Sequence, residues 1–442
     1  MKYLKKTDPA IAKLIELEGK RQQNTLMMIP SENIASYAVE EAVGSCLMNK
    51  YSEGYARRRY YQGNEIVDEV ETLVQDRAKK LFNVPYVNVQ AHSGSPANFA
   101  VYTALLKPGD VIMGLSLASG GHLTHGANKN ASSIYFKSLP YEVDEKGTID
   151  FKTLRELAKQ HKPSIIVAGT TAYARTLDWK KFAAIADEVG AYLLADISHI
   201  SGLVIGGNHP SPVPHVHVVT TTTHKTLRGP RGALIMTTNK GLDKNPDLAK
   251  QINSAIIPGI QGGPHMHTIA GIGVALEEAA KPQFKKYTKQ IVANAKVLAA
   301  ELTKFSFNLV TGGTDNHLIL IDLQNKQLLG NTMAEACEIA GIVLNRNAVP
   351  NDPNPPFFPS GIRLGTPGLT TRGMKEREMK QIASYINDVA TVIGHAKKFI
   401  VGTELDKDTR RTIVNKARKE LVEIKKKVEI LCKKFPLKKV YS

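Results

Sequence analysis

The sequence of 442 residues predicts an α/β protein: a mainly parallel sheet sandwiched by helices, with a smaller α+β domain at the C-terminal end. Three observations carry this. From residue 84 onward, short apolar or β-branched runs alternate with helical patterns, as crossover βαβ units do. Two of those runs, Ala191-Tyr-Leu-Leu-Ala-Asp196 and Val218-Val-Thr-Thr-Thr-Thr-His-Lys225, deliver a charged side chain at a strand exit, where parallel sheets bind ligands. After Pro264 a long helical pattern runs, with a break at Pro282, to about Lys304, and reads as a spine between two domains. The divisions that follow are an N-terminal arm over 1–35, a large domain over 36–280 and a small domain over 281–442.

Composition sets the broad class. A hydrophobic content of 42%, with 34 glycines and 22 prolines, is ordinary for a folded globular chain. No apolar run is long enough to span a bilayer and the first residues lack a leader's apolar segment, so a cytoplasmic location is expected. Cys46, Cys337 and Cys432 are too scattered for a disulfide framework or a zinc site; they read as packing residues, and no metal is expected. Of the net charge of +17, residues 401–442 supply 13 Lys/Arg against 6 Asp/Glu, an excess of 7. In that tail Ile413, Ala417, Leu421, Ile424, Val428 and Leu431 recur at spacings of three and four. A docked helix with a solvated basic face is favoured over a nucleic-acid arm, because no aromatics interleave the lysines.

In chain order, Asp8-Pro9 reads as an N-cap with proline at the first helical position. Ile11, Leu14, Ile15 and Leu17 give that helix an apolar stripe. Ser31-Glu-Asn33 breaks the pattern, and Val39, Val43 and Leu47 lead into a polar, tyrosine-rich stretch from Asn49 to Gly63. That stretch has neither helical nor strand periodicity; it is a binding surface or an exposed loop. Ile66, Val70, Leu73, Val74 and Leu81 mark a helix, and Val84 to Val89 a strand. Strands are then expected near 110–115, 133–137, 164–168, 191–196, 216–222 and 232–237, with helices near 96–106, 151–160 and 179–189. Past the spine come strands at 317–323, 342–346 and 361–365 and helices at 331–340 and 373–393.

Several residues suit chemistry. Lys225, at the end of a β-branched strand, can form a Schiff base with a carbonyl compound, or can be a surface lysine opening a loop. Ser93-Gly94-Ser95-Pro96 lies where a strand turns into a helix, as a phosphate cup or as an ordinary serine cap with proline at N1. Gly262-Gly263 lets backbone approach an anion, or is a hinge. Asp196 can hold a protonated ring nitrogen, or cap a loop. His122 and His199 can stack, hydrogen-bond or move protons, and Arg363 offers a fork for a carboxylate. Together they make up the parts of an amino-acid cofactor site.

Thr220-Thr-Thr-Thr-His224-Lys225-Thr-Leu-Arg-Gly-Pro-Arg231-Gly, with Ser31-Glu-Asn, Asn49-Lys-Tyr51-Ser-Glu53-Gly-Tyr, His92-Ser-Gly-Ser95, Gly120-Gly-His122-Leu-Thr-His-Gly, Gln261-Gly-Gly-Pro and Ser360-Gly-Ile-Arg363-Leu-Gly-Thr-Pro, closely resembles the serine hydroxymethyltransferase family. The resemblance runs from about residue 8 to residue 395. It implies the aspartate-aminotransferase fold of pyridoxal-phosphate enzymes (fold type I). The implied reaction interconverts serine plus tetrahydrofolate with glycine plus methylenetetrahydrofolate; a folate-independent aldolase for threonine-like β-hydroxy amino acids is the alternative. Lys225 would carry the cofactor, Asp196 face its ring nitrogen, His122 stack on the ring and His199 bond near its phenolic oxygen. Ser93, Gly94, Ser95 and His224 would hold the phosphate, and Thr171 is also placed at the cofactor. Tyr51, Gly262 and Gly263 would complete the site from a neighbouring chain, so a homodimer with shared active sites is implied, and a tetramer is possible. Ser31 and Arg363 would take the substrate carboxylate. Glu53, also from the neighbour, would move a proton or contact folate, with Tyr61 beside it. Leu117, Gly121, Leu123 and Asn347 match folate-contacting positions. The sequence departs from the family at Ser198, where alanine is usual, at Thr171, where serine is usual, and at Ala56-Arg57-Arg58.

Overall fold

The computed structural model describes residues 2–400 and 402–437. Its large sheet has seven strands: β1 (Tyr86–Asn88), β2 (Val111–Leu115), β3 (Lys137–Tyr141), β4 (Ile165–Gly169), β5 (Tyr192–Asp196), β6 (Val218–Thr222) and β7 (Ala233–Thr237). They lie in the order β1-β7-β6-β5-β4-β2-β3. All neighbours are parallel except β7, which runs antiparallel to both β1 and β6. The five inner strands are buried on both faces, as a helix-covered parallel sheet requires, whereas the edge strand β3 is largely exposed. Side chains alternate across it: in β4, Ile166 and Ala168 pack on one side with Phe182 and Ile272, while Ile165 and Val167 pack on the other with Val101 and Ile252.

Most expected elements stand within a few residues of their predicted positions. The strand expected at 133–137 does not: Ala131–Tyr135 is helical, capped by Asn130, and β3 starts only at Lys137. Asn130 accepts from the Ser132 amide at 3.0 Å, and that local bond outcompetes the β propensity of Ile134 and Tyr135. The Asn49–Gly63 stretch contains a small hairpin, Gly54–Tyr55 against Arg58–Arg59. Arg59 reaches from it to Asp68 at 2.8 Å and to the fully buried Glu71 at 2.6 Å, so this part is a structural ion pair and no loose loop.

A second, antiparallel sheet comprises β8 (Asn308–Leu309), β9 (Leu318–Asp322), β10 (Asn345–Asn347) and β11 (Gly361–Gly365), in the order β8-β9-β11-β10. The helices Met266–Ala279 and Pro282–Lys304 lead into it. The strand Leu26–Met27 pairs in parallel with Ile342–Val343, and Gly365 N–H donates to Met28 O at 2.7 Å. The N-terminal chain is thereby laid onto the second core before it passes to Ser31.

The basic tail forms two helices, Lys407–Lys416 and Arg418–Lys434. Their apolar set from Ile413 to Leu431 is buried throughout. Lys438 and Lys439 of that tail, like Met1 and Val401, lie outside the described residues. Arg372 ties the tail down: its guanidinium donates to the carbonyls of Cys432 and Phe435 and to those of Gln23 and Thr25. Cys337 and Cys432 pack inside, whereas Cys46, expected to do the same, is exposed. Helix Pro9–Asn24 forms with Asp8 capping Ile11 N at 3.0 Å. Its apolar stripe does not join the core: Ile11, Leu14, Ile15 and Leu17 are 46%, 60%, 48% and 48% exposed. Among the described residues no helix is long and apolar enough to cross a membrane, and no three-residue metal-ligating cluster occurs.

Candidate active site

β5 and β6 are parallel neighbours with Asp196 opposite Thr220, so both deliver their exits to one edge. Beyond β6 the chain turns: Gly229 N donates to Thr223 O at 2.7 Å. That turn aims Lys225 back at the sheet, where its amine meets Thr222 Oγ1 at 3.1 Å. Asn33, next to Ser31, holds the Lys225 carbonyl at 2.9 Å. Ser31, Ser93, Gly94, Ser95, His122, Thr171, Asp196, His199, His224 and Lys225 all line one cavity of about 330 Å³. Sequence reasoning named all ten.

The floor of the cavity is Asp196, which accepts four hydrogen bonds. Asn98 Nδ2 and His125 Nε2 reach Oδ2 at 2.8 and 3.1 Å, and Ser198 N and Oγ reach Oδ1 at 3.0 and 2.6 Å. The His125 tautomer follows from its other side: His122 N–H donates to Nδ1, which leaves the proton on Nε2, facing the carboxylate. Burial pushes the Asp196 carboxyl up, but the His125 hydrogen bond, together with the Lys225 charge, outweighs it. The net effect holds Asp196 well below the usual carboxylate range. The Lys225 amine is pushed down to about 8 by burial, against the pull of Asp196 and with help from Arg363 and Arg231. His122 falls to about 4, first by burial and then by His125, so it is a flat neutral ring at physiological pH.

Helix Gly94–Leu105 starts two residues earlier than a serine cap at Ser95 would place it. Its N-cap is Ser93, which makes no side-chain capping bond, so Pro96 sits at the third helical position. The hydroxyl of Ser93 and the first amides are thus not spent on one another. A Cβ on Gly94 would lie 2.7 Å from Thr222 Cγ2, which explains glycine there. His224, with Nδ1 buried and unpartnered, lines the same cavity.

Arg363 on β11 approaches from the second sheet, bonding Asn345 Oδ1 at 3.1 Å and the Thr171 carbonyl. Next to Thr171 opens a larger, mostly apolar cavity of about 740 Å³, lined by Leu117, Asn347, Ala172 and Pro356 among others. Of the other two expected folate positions, Gly121 packs against Leu115 O, 1.8 Å from where a Cβ would stand, and Leu123 is exposed; neither lines this cavity.

Five expected residues are not brought to Lys225. Tyr51 bonds Glu53 at 3.2 Å and meets Tyr61 edge-on at 5.2 Å, and Gly262 and Gly263 lie against Glu53 and Tyr51. These form a separate patch. Conversely, sequence reasoning missed Asn98, His125 and Asn33 as site-builders. Their contacts join elements far apart in the chain, and only the motif strings around His122 and Ser31 hinted at two of them.

The sequence profile of the family described as serine hydroxymethyltransferase matches residues 4–386. The chain belongs to the serine hydroxymethyltransferase family. It is 55% identical to the serine hydroxymethyltransferase of Acidothermus cellulolyticus over 88% of this chain and 89% of that one. Identity to the serine hydroxymethyltransferase of Bartonella henselae is 52%, over 98% and 95%; for that of Desulfotalea psychrophila it is 50%, over 99% and 96%. As a member of the serine hydroxymethyltransferase family the chain is a transferase, and its mainly parallel sheet is that of fold-type-I pyridoxal-phosphate enzymes. The residues present fit that cofactor: one cavity is lined by a half-buried amine, an ionised carboxylate, a neutral imidazole, an uncapped helix N-terminus and a histidine, His224, with an unpartnered buried nitrogen.

Proposed function

We propose that the Lys225 cavity binds pyridoxal phosphate and interconverts serine plus tetrahydrofolate with glycine plus methylenetetrahydrofolate, in a homodimer whose active sites are shared. The observation that carries this reading is that Lys225 and Asp196 line one cavity, the amine lowered to about 8 and the carboxyl kept ionised.

Each residue has a task that its surroundings support. Lys225 binds the cofactor aldehyde, and its lowered pKa leaves part of the amine neutral and nucleophilic near neutral pH. Ser93, Gly94, Ser95 and His224 take the phosphate at the positive end of helix Gly94–Leu105. His122 stacks on the ring, and its neutrality avoids placing a cation on a protonated heterocycle. Asp196 keeps the ring nitrogen protonated. When bound, pyridoxal phosphate supplies the electron sink for the pair left at Cα as the serine Cα–Cβ bond breaks. His199, whose basicity burial and the Lys225 and Arg363 charges depress, is a neutral hydrogen-bonding partner for the phenolic oxygen. Arg363 and Ser31 orient the substrate carboxylate.

Glu53 moves the proton of the serine hydroxyl or contacts folate, with Tyr61 beside it, and Tyr51, Gly262 and Gly263 complete the phosphate site. All five act on the neighbouring chain's cavity. Their clustering away from this chain's Lys225 supports that assignment, as does the solvent-exposed apolar stripe of helix Pro9–Asn24, which a second copy would cover. The apolar cavity past Thr171 suits the pterin and aryl parts of folate. The three free cysteines support a reducing, cytoplasmic setting. The deciding assay is formation of methylenetetrahydrofolate from serine by purified protein with pyridoxal phosphate and tetrahydrofolate. Cleavage of β-hydroxy amino acids without any folate-dependent transfer would replace this reading by the folate-independent aldolase.

A further inference from the structure

An ionised carboxylate offers about four lone-pair sites, and Asp196 has all of them engaged within the chain. Three of its donors are fixed in place. Ser198 N is backbone. Asn98 is set by the Thr220 hydroxyl, which donates to its Oδ1 at 2.6 Å, and His125 by the His122 amide on its far nitrogen. The fourth donor sits on a rotor. Ser198 Oγ, in a residue 7% exposed, donates to Asp196 Oδ1 at 2.6 Å while accepting from Thr222 N at 3.0 Å. The Thr222 amide anchors the oxygen, so the proton can swing off Asp196 without breaking that second bond. Any further donor that approaches the carboxylate has to displace one of the four, and the Ser198 proton is the one that can leave.

We propose, on the basis of the cofactor reading above, that Ser198 is a positioning residue whose hydroxyl competes with the protonated ring nitrogen of pyridoxal phosphate for Asp196 Oδ1. The hydroxyl thus weakens the hold of Asp196 on that nitrogen and sets how firmly the ring stays protonated. A purely orienting role for Ser198 has the opposite sign: its removal would loosen Asp196 and weaken the contact.

The test compares the dissociation constants of pyridoxal phosphate and of its analogue with carbon in place of the ring nitrogen, by equilibrium dialysis against apoprotein. The analogue-to-cofactor ratio isolates the contact between ring nitrogen and Asp196, because every other contact is common to both. Ser198→Ala is expected to raise that ratio about fivefold to tenfold, the scale of one hydrogen bond to a charged group. In protein loaded with ring-15N cofactor the nitrogen resonance should move toward the protonated value. Ser198→Thr, which keeps a hydroxyl, should return both readouts to the wild-type position. If Ser198→Ala does not fold, Ser198→Cys reads the same ratio, with a smaller rise because a thiol is a weak donor. A ratio unchanged or lowered in the variant, with a normal wild-type ratio, overturns the role of Ser198 alone. A wild-type chain that binds the cofactor no more tightly than the analogue overturns the cofactor reading with it.

Discussion

The Lys225 cavity and the Tyr51–Glu53–Tyr61 patch are built on opposite plans. At the cavity each acceptor oxygen of Asp196 has its donors, and the donors are themselves held by Thr220, His122 and Thr222. At the patch Tyr51 and Tyr61 are 57% and 47% exposed, and the Glu53 carboxylate bonds only the exposed Tyr51 among the described residues. A network closed inside one chain is pre-organised by folding, whereas an exposed aromatic and carboxylate cluster keeps its donors and acceptors available, as the shared site proposed above requires. The apolar stripe of helix Pro9–Asn24 belongs with the patch in this respect, because its cap and periodicity are ideal and its burial is missing.

Breaking the closed side should have the largest effects. Lys225→Ala should lose the cofactor's visible absorbance and reduce turnover by ~10³-fold or more, as read by spectrum and by methylenetetrahydrofolate formation. On the open side, Glu53→Gln should lower kcat by about 10²-fold and leave cofactor affinity within about twofold of wild type, since Glu53 is not at its own chain's Lys225. Arg59→Ala, which strands the fully buried Glu71, should destabilise the fold by about 3–5 kcal/mol, measured as a lower denaturation midpoint. Burial pushes the Glu71 carboxyl up and Arg59 pulls it back. Leu14→Ser should shift the protein toward monomer in sedimentation by about 1.5 kcal/mol per protomer at most, with the intrachain cavity intact.

The smallest effect is a pH dependence. Lys225 sits at about 8, against an ordinary 10.5. Below about 8 the amine is mostly protonated and only its neutral fraction attacks, so the rate of cofactor capture by apoprotein should rise with pH and level off above about 8. An exposed lysine would keep rising beyond that point.

The same contrast explains what the sequence reveals. The inner strands of the large sheet are legible because burial on both faces imposes continuous apolar or β-branched runs, and Asp196 and Lys225 follow those runs at their exits. The exposed fate of Ile11 and Leu14 is not legible, since a stripe that stays exposed on its own chain has the same spacing as one that meets its own core. Nor are Asn98 and His125 as Asp196 partners: the Asn98 contact spans 98 residues and the His125 contact 71, and nothing in local pattern encodes such meetings. At 133–137 the local cap of Asn130 decides against the β-rich composition, which periodicity alone does not weigh.

The most direct test of the central claim, that the two regions meet across chains, is a mixture of the two inactive variants. Lys225→Ala and Glu53→Gln chains are unfolded together, refolded and assayed for methylenetetrahydrofolate formation from serine. Hybrid dimers contain one site with intact Lys225 and intact Glu53 from opposite chains, so random pairing should restore about a quarter of wild-type activity. A mixture no more active than either variant alone would show that Glu53 serves its own chain's Lys225, and would contradict the account.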